Sequence, residues 1–186
     1  MSTTATPDSL FEMLSRETRK LPPVDKWNPE HVGDSQMRIA SDGSWTYQGS
    51  EIRRPEMVKL FSTILRREDD RYFLVTPVEK LEIDVEDAPF IATDLETRGG
   101  GETQEVLFIT NVQDLVLADA DHPLRVENPD TEPKPYLHVR NGLEALISRP
   151  LYYRLIELGV EQDRDGRKVL GIWSAGEFFE LGSYRP

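Results

Sequence analysis

The sequence predicts an α+β protein made of two similar halves of antiparallel strands, each with one packed helix. Three observations carry this. Short β-prone runs flank Asp42-Gly43, Asn141-Gly142 and Ala175-Gly176, which are hairpin turn signals. Two segments have the apolar spacing of a half-buried helix, one opening at Arg54-Pro55 and the other at Arg149-Pro150. From each proline the apolar residues fall at the same offsets, Val58, Leu60 and Phe61 in one copy and Tyr153, Leu155 and Ile156 in the other. An acidic turn then leads to a strand, Tyr72–Val75 or Val169–Trp173. Internal duplication accounts for this agreement, with coincidence as its rival. The expected divisions are a tail and short helix over 1–21, an N-terminal half over 22–82 and a C-terminal half over 83–186. A cleft between two such halves is the first place to look for a ligand.

Taken in order, Ser9 and Glu12 match a capping box, and Leu10, Met13 and Leu14 continue at helical spacing until Pro22-Pro23. This predicts a short amphipathic helix over 9–20. Residues 24–35 read as ordered loop, and Met37–Ala40 with Trp45–Tyr47 as a hairpin. A helix is expected over 55–67, burying Met57, Leu60, Phe61, Ile64 and Leu65, with Arg66 and Arg67 at the favourable end of its dipole. Tyr72–Val75 is a buried strand, and Leu81–Glu86 alternates between a dry and an acidic face. Segments 90–97 and 105–110 bracket a glycine-rich hairpin tip, Leu115–Leu117 adds a strand, and the proline- and acid-rich stretch 119–135 reads as a long loop. Tyr136–Arg140 is a strand, and Leu151, Tyr152, Leu155 and Ile156 mark the second helix, with Gly159 at its C′ position. Val169–Trp173 and Phe178–Leu181 form the last hairpin.

Composition narrows the function classes. The 186 residues include 22 Lys and Arg against 34 Asp and Glu, a net charge of −12 that disfavours nucleic-acid polymers. The absence of cysteine excludes disulfides, thiolate catalysis and cysteine-ligated metals. No apolar run is long enough for a membrane span, and the N-terminus lacks the pattern of a secretory signal, so a cytoplasmic location is expected.

No strong catalytic motif occurs: Walker A, Gly-x-Ser-x-Gly and His-Glu-x-x-His are all missing, and Gly99-Gly100-Gly101 reads as a hairpin loop. His31, His122 and His138 lack metal-ligand spacing, so neither metal nor cofactor is expected. His122-Pro123-Leu124-Arg125 brings an imidazole and a guanidinium into one short turn, with Asp119 or Asp121 as competing partners. Arg53 and Arg54 oppose the helix dipole and suit a phosphate unless Glu51 or Glu56 offsets them; Arg149 occupies the matching place. Lys80 is a further isolated cation. Trp45 and Tyr47 share a strand face, either as core or as an aromatic wall for a planar ligand.

Several stretches together resemble a bacterial family of unknown function, number 1285 in the domain-of-unknown-function series. They are Trp27-Asn28-Pro29, Gly33-Asp34, Met37–Ala40, Asp42–Gly49, Leu60–Arg67, Leu74–Lys80, Glu86–Phe90, Thr110-Asn111-Val112, His122–Arg125 and Asn141–Leu146. The likeness runs from about residue 22 onward. It implies a duplicated α+β core, a C-terminal half like a pleckstrin-homology barrel, a ligand site between the halves for a nucleotide-like molecule, and a signalling role. No activity comes with it. His31-Val32 stands before Gly33 where relatives often carry a cysteine, which argues against a thiol mechanism there.

The leading expectation is a cytoplasmic, non-catalytic protein that senses a small anionic or nucleotide-like ligand in the inter-half cleft. Its candidate residues are Arg53, Arg54, Lys80, His122, Arg125 and Arg140 for the anion, Asn111 for directional hydrogen bonds, and Trp45 and Tyr47 for stacking. Arg125 is expected to turn back toward the interface. The first alternative is an adaptor for a signalling protein, using a sheet edge or the N-terminal helix. The second is a hydrolase using Glu79 or Glu144 with His122. Docking on anionic lipid is disfavoured by the acidic face of Glu82, Asp84 and Glu86.

Overall fold

A computed structural model describes residues 21–185, so the helix expected over 9–20 lies outside the described residues. After a 3-10 turn at Val24–Lys26 come β1 (His31–Ile39), β2 (Trp45–Tyr47), β3 (Ser50–Glu51), α1 (Pro55–Ser62), β4 (Leu65–Glu68), β5 (Arg71–Val75) and β6 (Glu79–Val85). The chain continues with β7 (Phe90–Arg98), β8 (Glu105–Thr110), β9 (Leu115–Leu117), β10 (Leu124–Glu127), β11 (Lys134–Arg140) and β12 (Leu143–Ile147). It closes with α2 (Arg149–Leu158), β13 (Val160–Arg164), β14 (Arg167–Ser174) and β15 (Glu177–Tyr184). No described helix is long and apolar enough to cross a membrane.

The architecture is mixed α+β. One six-stranded sheet has the order β3-β2-β1-β6-β5-β4 and the other β10-β11-β12-β7-β8-β9, while β13-β14-β15 form a third, three-stranded sheet. Each large sheet is antiparallel except for one parallel pair, β1 with β6 and β12 with β7. The second large sheet curls into a half-barrel. A hairpin, a helix with proline in its first turn and a three-stranded meander recur in both halves, which bears out duplication at the level of element order. The matched helix positions are not buried alike: Leu60 is 65% exposed, whereas its counterpart Leu155 is fully buried.

The first helix corrects the expectation. It stops at Ser62, and Leu65–Glu68 is a strand paired with β5. Ser62 Oγ and Thr63 Oγ1 each donate at 2.6 Å to carbonyls one turn back, Lys59 O and Leu60 O, a local competition that weakens helices. Val58 and Phe61 therefore face the core, and Leu60 faces water. Strand β10 occupies part of the stretch expected to be loop, and Val160–Arg164 is a strand in place of the turn expected after the second helix. Gly159 caps α2 at φ −68°, not in the left-handed region; there a Cβ would lie 3.0 Å from Leu170 and 3.1 Å from Ile156 O, so crowding explains the glycine.

The main core runs through both halves, joining Ile39, Trp45, Leu65 and Ile83 to Phe90, Phe108, Leu137, Leu143 and Leu151. Three successive residues of the β11–β12 turn reach from the C-terminal half onto the N-terminal one. Arg140 Nη2 donates to Ser62 O at 2.9 Å, Asn141 Nδ2 lies 3.5 Å from Asp25 Oδ1, and Gly142 O accepts from Arg67 Nη1 at 3.1 Å. This seam orients the two walls of the cleft beside it.

Candidate functional site

The cleft encloses about 580 Å³ between the halves. Its N-terminal wall carries Arg67 and Tyr72, directly paired across the β4–β5 hairpin, with the guanidinium 5.6 Å from the ring centre. Its C-terminal wall carries Arg125 and Tyr136, directly paired across β10 and β11, with the guanidinium 4.3 Å from the ring centre. Cross-strand neighbours on one face of an antiparallel pair stand side by side, so each half presents an arginine laid on a tyrosine. Ser41, Glu86 and Asp87 line the floor, and Glu127, Lys134 and Glu144 complete the second wall.

The donors differ in spare capacity. Arg125 is the most committed, with all three nitrogens bonded: Nε and Nη2 bond the Glu144 carboxylate at 2.6 and 2.7 Å, and Nη1 bonds Glu127. The bond to Glu144 raises its proton affinity further, and a bidentate fork of this kind is strong. The Tyr136 hydroxyl donates to Asp87 Oδ1 at 2.6 Å; burial, followed by that bond, pushes its pKa well above the ordinary value. Arg67 is less committed. Its Nε bonds Asp69 O at 2.8 Å and Nη1 bonds Gly142 O, but Nη2 has only Asp70, 3.8 Å away and fully exposed. Lys134 Nζ has Asp87 at 3.4 Å. The Tyr72 hydroxyl has no hydrogen-bond partner among the described residues, and burial raises its pKa. The open donors therefore gather at Arg67, Tyr72 and Lys134.

Of the candidates read from the sequence, Arg125 and Glu144 line this cleft, and they are paired with each other. Arg53 is exposed and 3.5 Å from Glu51, and Arg54 is an exposed N-cap residue. Lys80 is held by Glu68 at 2.9 Å and lies over the Phe73 ring. Arg140 bonds Asp114 at 2.7 Å besides Ser62 O. His122 bonds Asp119 Oδ1 at 2.9 Å through Nδ1, and Glu144 is taken by Arg125. Asn111 clamps backbone, accepting from Ile91 N at 3.0 Å. Trp45 is 1% exposed and packs on Phe61, whereas Tyr47 is exposed: the short β2 ends between core and solvent, so the two form no aromatic wall. Arg67, Tyr72, Lys134 and Tyr136 were missed. The legible signal is alternation, since Lys134 and Tyr136 stand on the same face of β11, the lysine exposed and the tyrosine ring buried.

The described residues also match known proteins. Residues 22–88 match the N-terminal domain of the family described as a domain of unknown function, DUF1285, and residues 89–181 match its C-terminal domain. The chain belongs to the DUF1285 family. A crystal structure of a DUF1285 family protein from Silicibacter pomeroyi DSS-3 is 50% identical, with 94% of each chain covered and a TM-score of 0.81. A second, from Shewanella baltica OS155, is 32% identical over 66% of this chain and 91% of the other, with a TM-score of 0.53. No curated protein matches. The two DUF1285 matches meet between residues 88 and 89, at the Glu86–Asp87 floor of the cleft.

Proposed function

We propose that this DUF1285 protein is a non-catalytic binding protein whose ligand is a small polar molecule with an anionic group, seated in the cleft between its halves. The observation that carries the reading is the set of open donors that line one cleft, Arg67 Nη2 and the Tyr72 hydroxyl on the N-terminal wall and the loosely held Lys134 on the other, while both oxygens of Glu144 are taken by Arg125. Four carboxylates line the cleft against three cations, so a bare phosphate meets repulsion as well as attraction. A ligand with hydroxyl or amino donors for Glu86 and Asp87 and one anionic group for Arg67 fits both signs. Nucleotide-like molecules have that chemistry, and so do phosphorylated amino sugars.

A signalling role belongs to the same proposal. Arg67 serves both the open seat and the bond to Gly142 O, so an anion drawn to its guanidinium acts on the seam. The pleckstrin-homology-like description of the C-terminal half is also part of the proposal, supported by the curl of the second sheet and by β10 lying against β15. Fold likeness of that kind carries no ligand with it.

The test is a thermal-shift screen of mononucleotides, cyclic nucleotides, phosphorylated sugars and inorganic phosphate on wild type and Tyr72→Phe. A ligand at 100 times its dissociation constant adds about 2.7 kcal/mol, a rise of several degrees for a chain of this size. Tyr72→Phe removes only the unpartnered hydroxyl, so it should keep its ligand-free melting temperature and lose part of the shift. A flat screen, or an identical shift in the variant, overturns the reading.

A further inference from the structure

The β11–β12 turn carries a chemistry that the cleft does not use. Of the four asparagines, Asn28 and Asn128 precede proline, whose nitrogen bears no proton, and Asn111 precedes β-branched Val112. Asn111 is further held through its side-chain oxygen by Ile91 N and lies against Gly43. Asn141 differs on every count. It is exposed, its amide has only the 3.5 Å contact with Asp25, and the next residue is Gly142, with no side chain to block approach to its nitrogen.

That nitrogen has an unusual neighbour. The Gly142 N–H donates to Nε2 of His138 at 3.0 Å. Because Nε2 accepts, the imidazole proton sits on Nδ1, which donates to Asp121 O at 3.0 Å. The neutral ring therefore aims a basic lone pair at an amide proton, beside a side-chain carbonyl one residue away. The His122 ring lies next to it, 6.2 Å between centres, and Glu144 is its register partner on β12.

We propose that Asn141 is a site of spontaneous deamidation, with His138 taking the proton of the attacking Gly142 nitrogen, and that the product loosens the seam between the two halves. The side chain of Asn141 rotates to bring Cγ over the Gly142 nitrogen. The nitrogen–Cγ bond forms as the amide proton passes to His138 Nε2. The tetrahedral centre then collapses and expels Nδ2, which takes the proton back from the imidazolium and leaves as ammonia. Water opens the resulting succinimide to aspartate or isoaspartate. Either product puts a carboxylate where the amide faced Asp25, and like charges repel. The isoaspartate form also lengthens the main chain by one carbon, which carries Gly142 O away from Arg67.

The test is to incubate the folded protein at neutral pH and map its peptides by mass spectrometry at all four asparagines. Conversion of amide to acid is expected at Asn141, several-fold faster than at Asn111 and no slower in the folded chain than in the urea-unfolded one. His138→Gln retains an oxygen that can accept the Gly142 N–H but is not basic, and it should slow the conversion several-fold. Conversion at Asn141 no faster than at Asn111, suppression by folding, or an unchanged or faster rate in His138→Gln each overturns the proposal. Asn141→Asp should melt several degrees below wild type; equal melting overturns the effect on the seam. The folded-versus-unfolded comparison uses wild type alone, so it decides the matter even if His138→Gln does not fold.

Discussion

A Cβ atom on Gly43 would lie 2.8 Å from Nδ2 of Asn111, so the tip of the β1–β2 hairpin and the turn after β8 fit together only because residue 43 has no side chain. The two come from opposite halves, and the same Cβ would also lie 2.8 Å from Ile91 Cγ1. Gly43 additionally holds φ at +86°, a region costly for alanine.

Gly43→Ala should therefore lose stability twice over. The backbone conformation costs about 1 kcal/mol and the overpacking about 1–3 kcal/mol more. Gly49 separates the two effects: its φ is +81°, but a Cβ there meets nothing within 4 Å. In urea unfolding Gly49→Ala should show only the backbone cost. Equal losses in the two variants would remove the packing argument.

Arg140 joins the halves through its hydrogen bond to Ser62 O, and the charge of Asp114, in its own half, holds it in place for that bond. It is 16% exposed, bonds Asp114 and Ser62 O, and lies over the Phe90 ring. Arg140→Ala strands a half-buried carboxylate and a carbonyl, a loss of about 2–4 kcal/mol. Arg140→Lys should recover little of it, because one ammonium cannot reproduce the planar fork that reaches both partners. Chemical denaturation of the three proteins checks the order; rescue by lysine would show that charge alone suffices.

How far the sequence revealed the fold depended on whether local chemistry decided the element. Gly43, Asn141 and Gly142 hold positive φ, so both hairpin turns were legible. The end of α1 was not, because the apolar period ran on through Ile64 and Leu65, and only the hydroxyls of Ser62 and Thr63 and the pairing of β4 with β5 stop the helix. The site was less legible still. Arg53 and Arg54 stand out in the sequence because their positions oppose the helix dipole, but both face solvent. Arg67 had a ready explanation as a helix-end residue, and its place in the cleft follows from a strand pairing that the apolar pattern did not announce. Likewise His122 and His138 are 16 residues apart in sequence, yet their rings meet.

Acid should weaken the N-terminal half through Glu68. Its hydrogen bond from Lys80, aided by Arg66, holds the carboxyl below its ordinary value near 4.5 in the folded protein. A depressed folded value means that the contribution is fully present above the unfolded value and is lost as pH falls through the folded one. Melting temperature measured against pH should fall through this acid range in wild type, and Glu68→Gln should flatten part of that limb while lowering the plateau near neutrality. Superimposable acid limbs would show that Glu68 makes no difference between the folded and unfolded chains.

Arg125 separates wall from seat in the cleft. Both faces of its guanidinium fork are committed, to Glu144 and Glu127, and its plane covers Tyr136. The pair with Glu144 is bidentate, but Arg125 is 45% exposed, so solvent screens it and Arg125→Ala should cost only about 1 kcal/mol. The same substitution frees Glu144 and Glu127 to face the cleft, making it more acidic without touching the open donors of Arg67, Tyr72 and Lys134. A ligand drawn by its anionic group to Arg67 should therefore still raise the melting temperature of Arg125→Ala, with a shift reduced by the added negative field and increasingly restored by salt. Arg67→Ala, by contrast, should lose the shift at every salt concentration. Isothermal titration of both variants with a ligand from the screen distinguishes the two: complete loss of binding in Arg125→Ala, unrelieved by salt, would move the anion's seat from the N-terminal wall to the C-terminal one.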